Sequence, residues 1–384
     1  MLRVLAKTAQ MIVLSIAGYN AVVALWGWRN RQPATPGSGH RRLRVVVPAH
    51  DEEGVIAGIL TDLASDAYPA SHVVVLADRC TDQTAEAATG LGVMAVERSD
   101  GPGGKGAALS WYLDAYPLDD DEALVVFDAD NRLPQGALAR IADELDTGHD
   151  IVQCYLDVEN PDGSVLATAS AMSYWAGNRM VQLARDNLGW SSDLGGTGMA
   201  FTAEALERIG GFGTSLTEDQ EIGVRAALVD VRVAWLHDVR IRDEKPTDLS
   251  TTVRQRSRWM SGKREVAKLH LQPLWSEAIR RRSFSLFDQG LRLVQPGRSF
   301  VALLSGALAV AAVATRSRLL FSPWIWITAA VGQFVQPIPF LLRDGVPPRY
   351  VLRYPFLAVL AALWIPIRMV SSRVNGDWFH TPHG

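Results

Sequence analysis

Two cysteines, Cys80 and Cys154, are all that the 384 residues contain. That is too few for a disulfide framework, and their surroundings lack metal-ligand spacing, so both read as reduced thiols in a cytoplasmic setting. Charge of one sign is also missing. Thirty-eight basic residues stand against 41 acidic ones, a net charge of −3, and no basic excess argues for nucleic acid as a partner. A Walker motif is absent, because Gly106 follows Lys105 where Ser or Thr is required.

Residues 9–28 carry no charged side chain, and at 1.5 Å per helical residue this stretch is long enough to cross a bilayer. A signal peptide would share the preceding Arg3 and Lys7. However, no small-residue cleavage site is evident, and Trp26-Gly27-Trp28-Arg29 has the form of an interfacial aromatic anchor. Arg29, Arg31, Arg41, Arg42 and Arg44 follow this stretch against two basic residues before it, so the region beyond is expected to be cytoplasmic and the amino terminus external. Three more apolar stretches lie at 299–315, 319–342 and 350–371, the second containing Pro323, Pro337 and Pro339. Three spans there would put the carboxyl tail outside. Ahead of them, Arg280-Arg281-Arg282 leads into 284–294, where Phe284, Leu286, Phe287, Leu291 and Leu293 interleave with Asp288 and Arg292. That pattern suits an amphipathic helix on the membrane surface, with an ordinary surface helix as the alternative. The expected divisions are an anchor at 1–30, a cytoplasmic domain at 31–270, interface helices at 271–298, membrane helices at 299–371 and a tail at 372–384.

Within the cytoplasmic part, valine-rich runs at 43–47, 73–77, 93–96 and 124–127 alternate with helix-length segments. This is the pattern of an α/β domain with a largely parallel sheet, whose ligand site lies beyond the carboxyl ends of the strands. The polar motifs sit at those ends. Pro48-Ala49-His50-Asp51-Glu52-Glu53 follows the first run and Asp78-Arg79-Cys80-Thr81-Asp82 the second. Carboxylates there can accept bonds from a nucleobase imide or ribose hydroxyls. Capping of the following helix is the better reading for Asp82, and nucleotide contact for Asp78. Gly101-Pro102-Gly103-Gly104-Lys105-Gly106 combines backbone amides at a helix start with one lysine, a means of holding a diphosphate.

Asp128 and Asp130 follow the run 123–127 and point to the same side. Hard divalent cations prefer such carboxylates, and an ion at Asp130 would neutralise phosphate charge as a nucleotide departs. A phosphatase with an aspartyl nucleophile uses the same spacing, but Arg132 stands where that motif needs a small hydroxyl or apolar residue. Gly195-Gly196-Thr197-Gly198 permits close backbone approach, and Thr217-Glu218-Asp219 adds a second acidic pair. Transfer of a sugar with inversion needs one base, assigned to Asp219, with Glu218 orienting it or binding the acceptor. Thr217 also reads as a helix start. Finally, Gln255-Arg256-Ser257-Arg258-Trp259 supplies guanidinium groups and an indole, suited to phosphate and to a sugar face.

In order and spacing these motifs, together with Glu244 and Pro246, resemble the family 2 glycosyltransferases over about residues 43–300. The likeness is to the membrane-embedded QxxRW branch of cellulose, hyaluronan and poly-N-acetylglucosamine synthases. It implies a GT-A type domain, Mg or Mn, and an inverting transfer from a nucleotide-sugar, a UDP-sugar foremost, to a polysaccharide or lipid-linked acceptor at the plasma membrane. It further implies uridine contact at Asp78, diphosphate contact near Lys105, metal at Asp130 with Asp128 on the nucleotide, and Asp219 as base. Arg258 would hold the pyrophosphate, with Gln255 nearby and Trp259 beneath the acceptor. The expected donor-binding set is thus Pro48, Glu52, Asp78, Lys105, Asp128, Gln255, Arg258 and Trp259; the acceptor set is Gly196, Glu218 and Trp259. His50-Asp51 and Arg79 depart from the family's usual residues at the nucleotide end, and Trp378-Phe379-His380-Thr381 resembles a tail motif of some members. The alternatives are single-sugar transfer to polyprenyl phosphate and a non-catalytic nucleotide-sugar-binding membrane subunit.

Overall fold

The computed structural model describes residues 1–354 apart from 34, 36–40, 67, 70 and 214. The 350–371 stretch beyond 354, and the whole 372–384 tail with Trp378 to Thr381, fall outside the described residues.

Among the described residues, seven strands form one sheet: β1 Arg42–Ala49, β2 Ser71–Asp78, β3 Met94–Arg98, β4 Glu122–Val126, β5 Ile151–Val158, β6 Met199–Thr202 and β7 Val233–Asp243, in the order β3-β2-β1-β4-β6-β5-β7. β1, β2, β3 and β4 pair in parallel, as do β5 and β7, while β6 runs antiparallel to both β4 and β5. The valine runs explain the parallel half. Val45, Val46 and Val47 on β1, like Val125 and Val126 on β4, are fully buried, because helices cover both faces of the sheet. β5, β6 and β7 carry no comparable run and were not evident in sequence. Asp78, Asp128 and Asp130 all lie at or just past the carboxyl end of a strand.

Among the described residues, three helical segments are long and apolar enough to cross a membrane: Leu2–Trp28, Arg298–Thr315 and Pro323–Arg343. The last is broken, with Pro337 starting a short second helix, Pro337–Arg343, after Pro323–Val335. At one end of the bundle Lys7 Nζ donates to the Leu320 carbonyl at 2.6 Å, and Gln10 both donates to the Leu319 carbonyl and accepts from the Phe321 N–H, each at 2.8 Å. At the other end Arg343 donates to the Trp28 carbonyl at 2.8 Å, and Asp344 accepts from Tyr155 of β5 at 2.6 Å. The amino-terminal end of the first helix therefore lies away from the sheet domain. Most of the arginine run after the first helix docks on carboxylates: Arg31 on Glu144 at 2.5 Å, Arg41 on Asp146 at 2.6 Å, and Arg42 on Asp119 at 2.9 Å.

The helix Phe284–Val294 forms as expected, but its polar stripe faces the protein. Asp288 is fully buried, bound by Arg185 at 2.8 Å, Arg292 at 3.0 Å and the Tyr19 hydroxyl of the first helix at 2.8 Å. Phe284 and Phe287 are exposed instead. Two guanidinium groups stripped of water require a counter-charge, and Asp288 provides it, so charge pairing decides which face turns inward. The interval boundary at 270 falls inside one continuous helix, Leu249–Arg281.

Asp288→Ala would leave Arg185 and Arg292 without their shared carboxylate. A loss of about 3–5 kcal/mol is expected, read as a lowered unfolding midpoint in detergent, whereas Glu277→Ala at its exposed arginine pairs should leave the midpoint nearly unchanged.

Candidate active site

One cavity of about 590 Å³ opens at the carboxyl ends of β1, β2 and β4, and all twelve residues singled out from the sequence line it. Pro48 and Glu52 come from the segment after β1, Asp78 from the end of β2, Asp128 and Asp130 from the turn after β4, and Lys105 from the start of the helix Lys105–Ala115. Gly196 precedes β6. Glu218 and Asp219 begin the helix Glu218–Leu228, and Gln255, Arg258 and Trp259 share one face of Leu249–Arg281, as a spacing of three and four residues requires.

Lys105 joins three of these segments. Its ammonium donates to Asp128 Oδ1 and, at 2.6 Å, to the Gly196 carbonyl. Burial disfavours its charge, but Asp128, then Glu218 and Asp219, hold its pKa above the usual lysine value. The acid turn is riveted from below by buried Asn131, which accepts from the Asp128 N–H at 3.1 Å, donates to Asp130 Oδ1 at 3.1 Å, and accepts from the Thr197 hydroxyl. Buried Gln153 of β5 fixes the glycine loop, accepting from Gly195 N–H and donating to the Thr197 carbonyl, each at 2.8 Å. Gly196 has φ +87°, a conformation for which glycine is suited.

Close backbone approach sets the position of the acidic pair. A Cβ on Gly106 would lie 2.2 Å from the Gly213 carbonyl oxygen, and one on Gly262 would lie 2.5 Å from Thr217 Oγ1. Gly262 follows Arg258 by one turn, so this contact brings the Gln255–Trp259 face to the acidic pair. Thr217 stands at the helix start as expected, but its hydroxyl makes no capping bond. Burial first, and the Glu218 charge second, push Asp219 up to about 7; burial also raises Glu218, opposed by Lys105.

Asp78 is less open than its motif suggests. Arg98 reaches Oδ1 at 2.9 Å and Arg79 reaches Oδ2 at 3.2 Å, while His50 Nδ1 lies 2.6 Å from its carbonyl oxygen. Asp82 stands one residue before the N-cap Gln83, so it does not cap the helix itself; it accepts from Thr84 N–H at 3.0 Å and Glu53 N–H at 2.9 Å. Asp51, Cys80 and Asp82 bring potential ligand atoms within 4.8 Å of one another. Yet Asp51 already accepts from the Thr81 N–H at 2.6 Å, and burial raises the Cys80 thiol pKa. These contacts lock the two loops together. By contrast, the cavity wall carries nine carboxylates against three lysine or arginine side chains, a surplus of hard oxygen donors suited to a divalent cation. Sequence reading missed Gln153, Asn131, Arg98, Asp193, Asp243 and Lys245, whose roles depend on neighbours remote in the chain.

A family model described as glycosyltransferase like family 2 matches residues 40–262. The chain belongs to the family 2 glycosyltransferases. It is 25% identical over 236 residues to beta-monoglucosyldiacylglycerol synthase of Synechocystis, covering 57% of this chain and 47% of that protein. It is 23% identical over 272 residues to the probable glycosyltransferase YdaM of Bacillus subtilis, covering 68% and 63%. The chain thus spans about half to two thirds of the length of these curated relatives. Among solved structures, mannosyltransferase PcManGT from Pyrobaculum calidifontis, in complex with GDP-Man and Mn2+, superposes with a TM-score of 0.62 at 21% identity, covering 95% of this chain and 99% of that one. The fold of this glycosyltransferase is GT-A, with a mostly parallel mixed sheet.

Gly106→Ala should push Gly213 and Glu218 away from the start of the Lys105 helix. The expected result is a larger fractional loss of activity than of folded protein, checked by comparing turnover with the unfolding midpoint.

Proposed function

We propose that this family 2 glycosyltransferase is an inverting, QxxRW-branch enzyme that moves a hexose or N-acetylhexosamine from a nucleotide-sugar, foremost a UDP-sugar, to a membrane-associated acceptor. The observation that carries the reading is convergence: a carboxylate with a pKa of about 7, an acid pair and a guanidinium-indole face line the same cavity. Three apolar helices give the domain an anchor, and the exposed Phe284 and Phe287 give it a surface for the bilayer interface. In this reading the chain divides into an anchor, a cytoplasmic domain, interface helices and further spans, with the plasma membrane as the location.

In this reading Asp219 takes the proton from the acceptor hydroxyl as that oxygen attacks the anomeric carbon, in line with the departing diphosphate. Glu218 and the Gly196 backbone position the acceptor, and Trp259 offers its indole face to the sugar. Pro48, Glu52 and Asp78 hold the nucleoside, while Lys105, Arg258 and Gln255 bind the diphosphate side with Asp128. Asp130 would hold Mg or Mn, which would supply Lewis-acid neutralisation of the leaving diphosphate. The acceptor is a glycolipid or a growing polysaccharide. A lipid draws support from the Synechocystis relative, whose name specifies a diacylglycerol product.

Asp219 must be ionised to act, so kcat/KM for nucleoside diphosphate release should rise with pH through about 7 and then level off. Asp219→Asn should remove this limb and cut release by about 100-fold or more. A polyprenyl phosphate acceptor is already an anion and needs no base, so near-normal turnover in Asp219→Asn would favour that acceptor instead. The same carboxyl has a folded pKa above its unfolded value of 3.8. It binds its proton more tightly when folded, so stability from this group falls as pH rises between those values, and Asp219→Asn should raise the unfolding midpoint at pH 8.

Asp130→Ala should abolish release with a panel of nucleotide sugars and lower the affinity for Mn2+ measured by titration calorimetry. Unchanged release with folded protein would remove Asp130 from the mechanism.

A further inference from the structure

Of the three cationic side chains in the cavity wall, Lys105 and Arg258 have parts in the reading above, and Lys245 has none. Its surroundings are built with care for a single side chain. Asn160 grips the Lys245 backbone at both polar groups, donating to its carbonyl and accepting from its N–H, each at 2.9 Å. The side chain, 5% exposed, runs across Tyr174 with Nζ 4.0 Å from the ring centroid, and donates to Asp243 Oδ2. Burial opposes the ammonium charge, but Asp243 and the Tyr174 ring keep it protonated, and the field of Asp130 reaches it as well.

Backbone pairing explains why this lysine stands beside the acid pair. Arg132 and Arg242 form an isolated antiparallel bridge, with N–H to carbonyl distances of 2.8 Å and 3.0 Å in the two directions. Two residues before Arg132 is Asp130, and directly after Arg242 come Asp243, Glu244 and Lys245. An antiparallel register therefore brings the end of β7 alongside the turn that carries Asp128 and Asp130. An ammonium has three N–H donors. One goes to Asp243 and the Tyr174 face takes the charge from another side, which leaves donor capacity for a ligand in the cavity.

We propose that Lys245 is a second phosphate-binding lysine of this site, held charged and in place by Asp243, Tyr174 and Asn160, and that it takes a phosphate oxygen of the substrate. The inference rests on the transfer reading. A phosphate oxygen can come from the donor diphosphate or from a phosphorylated lipid acceptor, and both offer the same chemistry to an ammonium. Nine carboxylates around the cavity make an anionic ligand costly to admit, so an additional fixed cation is what such a ligand needs.

The test uses the full chain in detergent, wild type against Lys245→Met, Lys245→Arg and Asp243→Asn, with calorimetric titration of inorganic pyrophosphate and of UDP and GDP in the presence of Mn2+. Lys245→Met should weaken pyrophosphate and the nucleoside diphosphates by about tenfold or more, with Lys245→Arg retaining most of the affinity. Asp243→Asn removes one of the holders but keeps the ammonium, still seated on Tyr174 and gripped through its backbone by Asn160, so it should weaken binding by less than Lys245→Met. If nucleotide and pyrophosphate binding are unchanged but the KM for a polyprenyl phosphate rises about tenfold while a neutral glycolipid acceptor is unaffected, the phosphate belongs to the acceptor. Equal losses of binding and unfolding midpoint in Lys245→Met and Asp243→Asn would make the pair structural and overturn the proposal, as would a folded Lys245→Met with every binding constant intact. Should Lys245→Met fail to fold, Lys245→Arg and Asp243→Asn still separate the two roles. Pyrophosphate binding is read without sugar transfer, so a chain that binds through Lys245 yet transfers nothing defeats the transfer reading and leaves this one standing.

Discussion

The ammonium of Lys105 is the interaction on which the site depends. A cluster of Asp128, Glu218 and Asp219 in a partly dry cavity would repel itself apart, and carboxylates so placed would simply protonate. Lys105 answers that repulsion from the start of its helix and at the same time bonds the Gly196 carbonyl, so one charge ties the helix that carries it, the acid turn and the glycine loop. The balance is incomplete at Asp219, where burial and Glu218 still win and the pKa reaches about 7. A carboxyl in that range is suited to accept a proton near neutral pH.

Support comes from two further layers. Buried amides, Asn131 and Gln153, hold the acid turn and the glycine loop without adding charge. Glycine contacts at Gly106 and Gly262 then set how near the acidic helix and the Gln255–Trp259 face can come. Small residues matter here because a backbone atom or a branched hydroxyl occupies the space a side chain would need.

The first apolar helix is linked to the same cavity by polar and charged contacts. Tyr19 of the first helix bonds Asp288, Asp288 pairs with Arg292, and Arg292 reaches Asp193 of the cavity wall at 2.7 Å. Each member is held by its neighbours, since a buried ion tolerates displacement poorly once its partner is fixed. The first apolar helix and the cavity wall thus share one electrostatic network.

Much of this was legible from residue order. The valine runs of β1, β2 and β4 announce buried parallel strands because period and composition are local properties, and Asp128, Asp219 and Arg258 stand in motifs whose chemistry is local too. What the linear chain does not display is pairing between remote segments. β5, β6 and β7 lack a continuous apolar run, so their places depend on the neighbours that cover them. Asp78 shows no partner in its motif until the adjacent Arg79 folds back on it and Arg98 reaches it from the end of β3, and Asp288 reads as a surface charge until two arginines and a tyrosine enclose it. Sequence alone determined the class of sheet, the apolar helices and the acids that meet. Tertiary structure decided the protonation of those acids and the inward face of each charged helix, because solvation and pairing energies are set by distance in space.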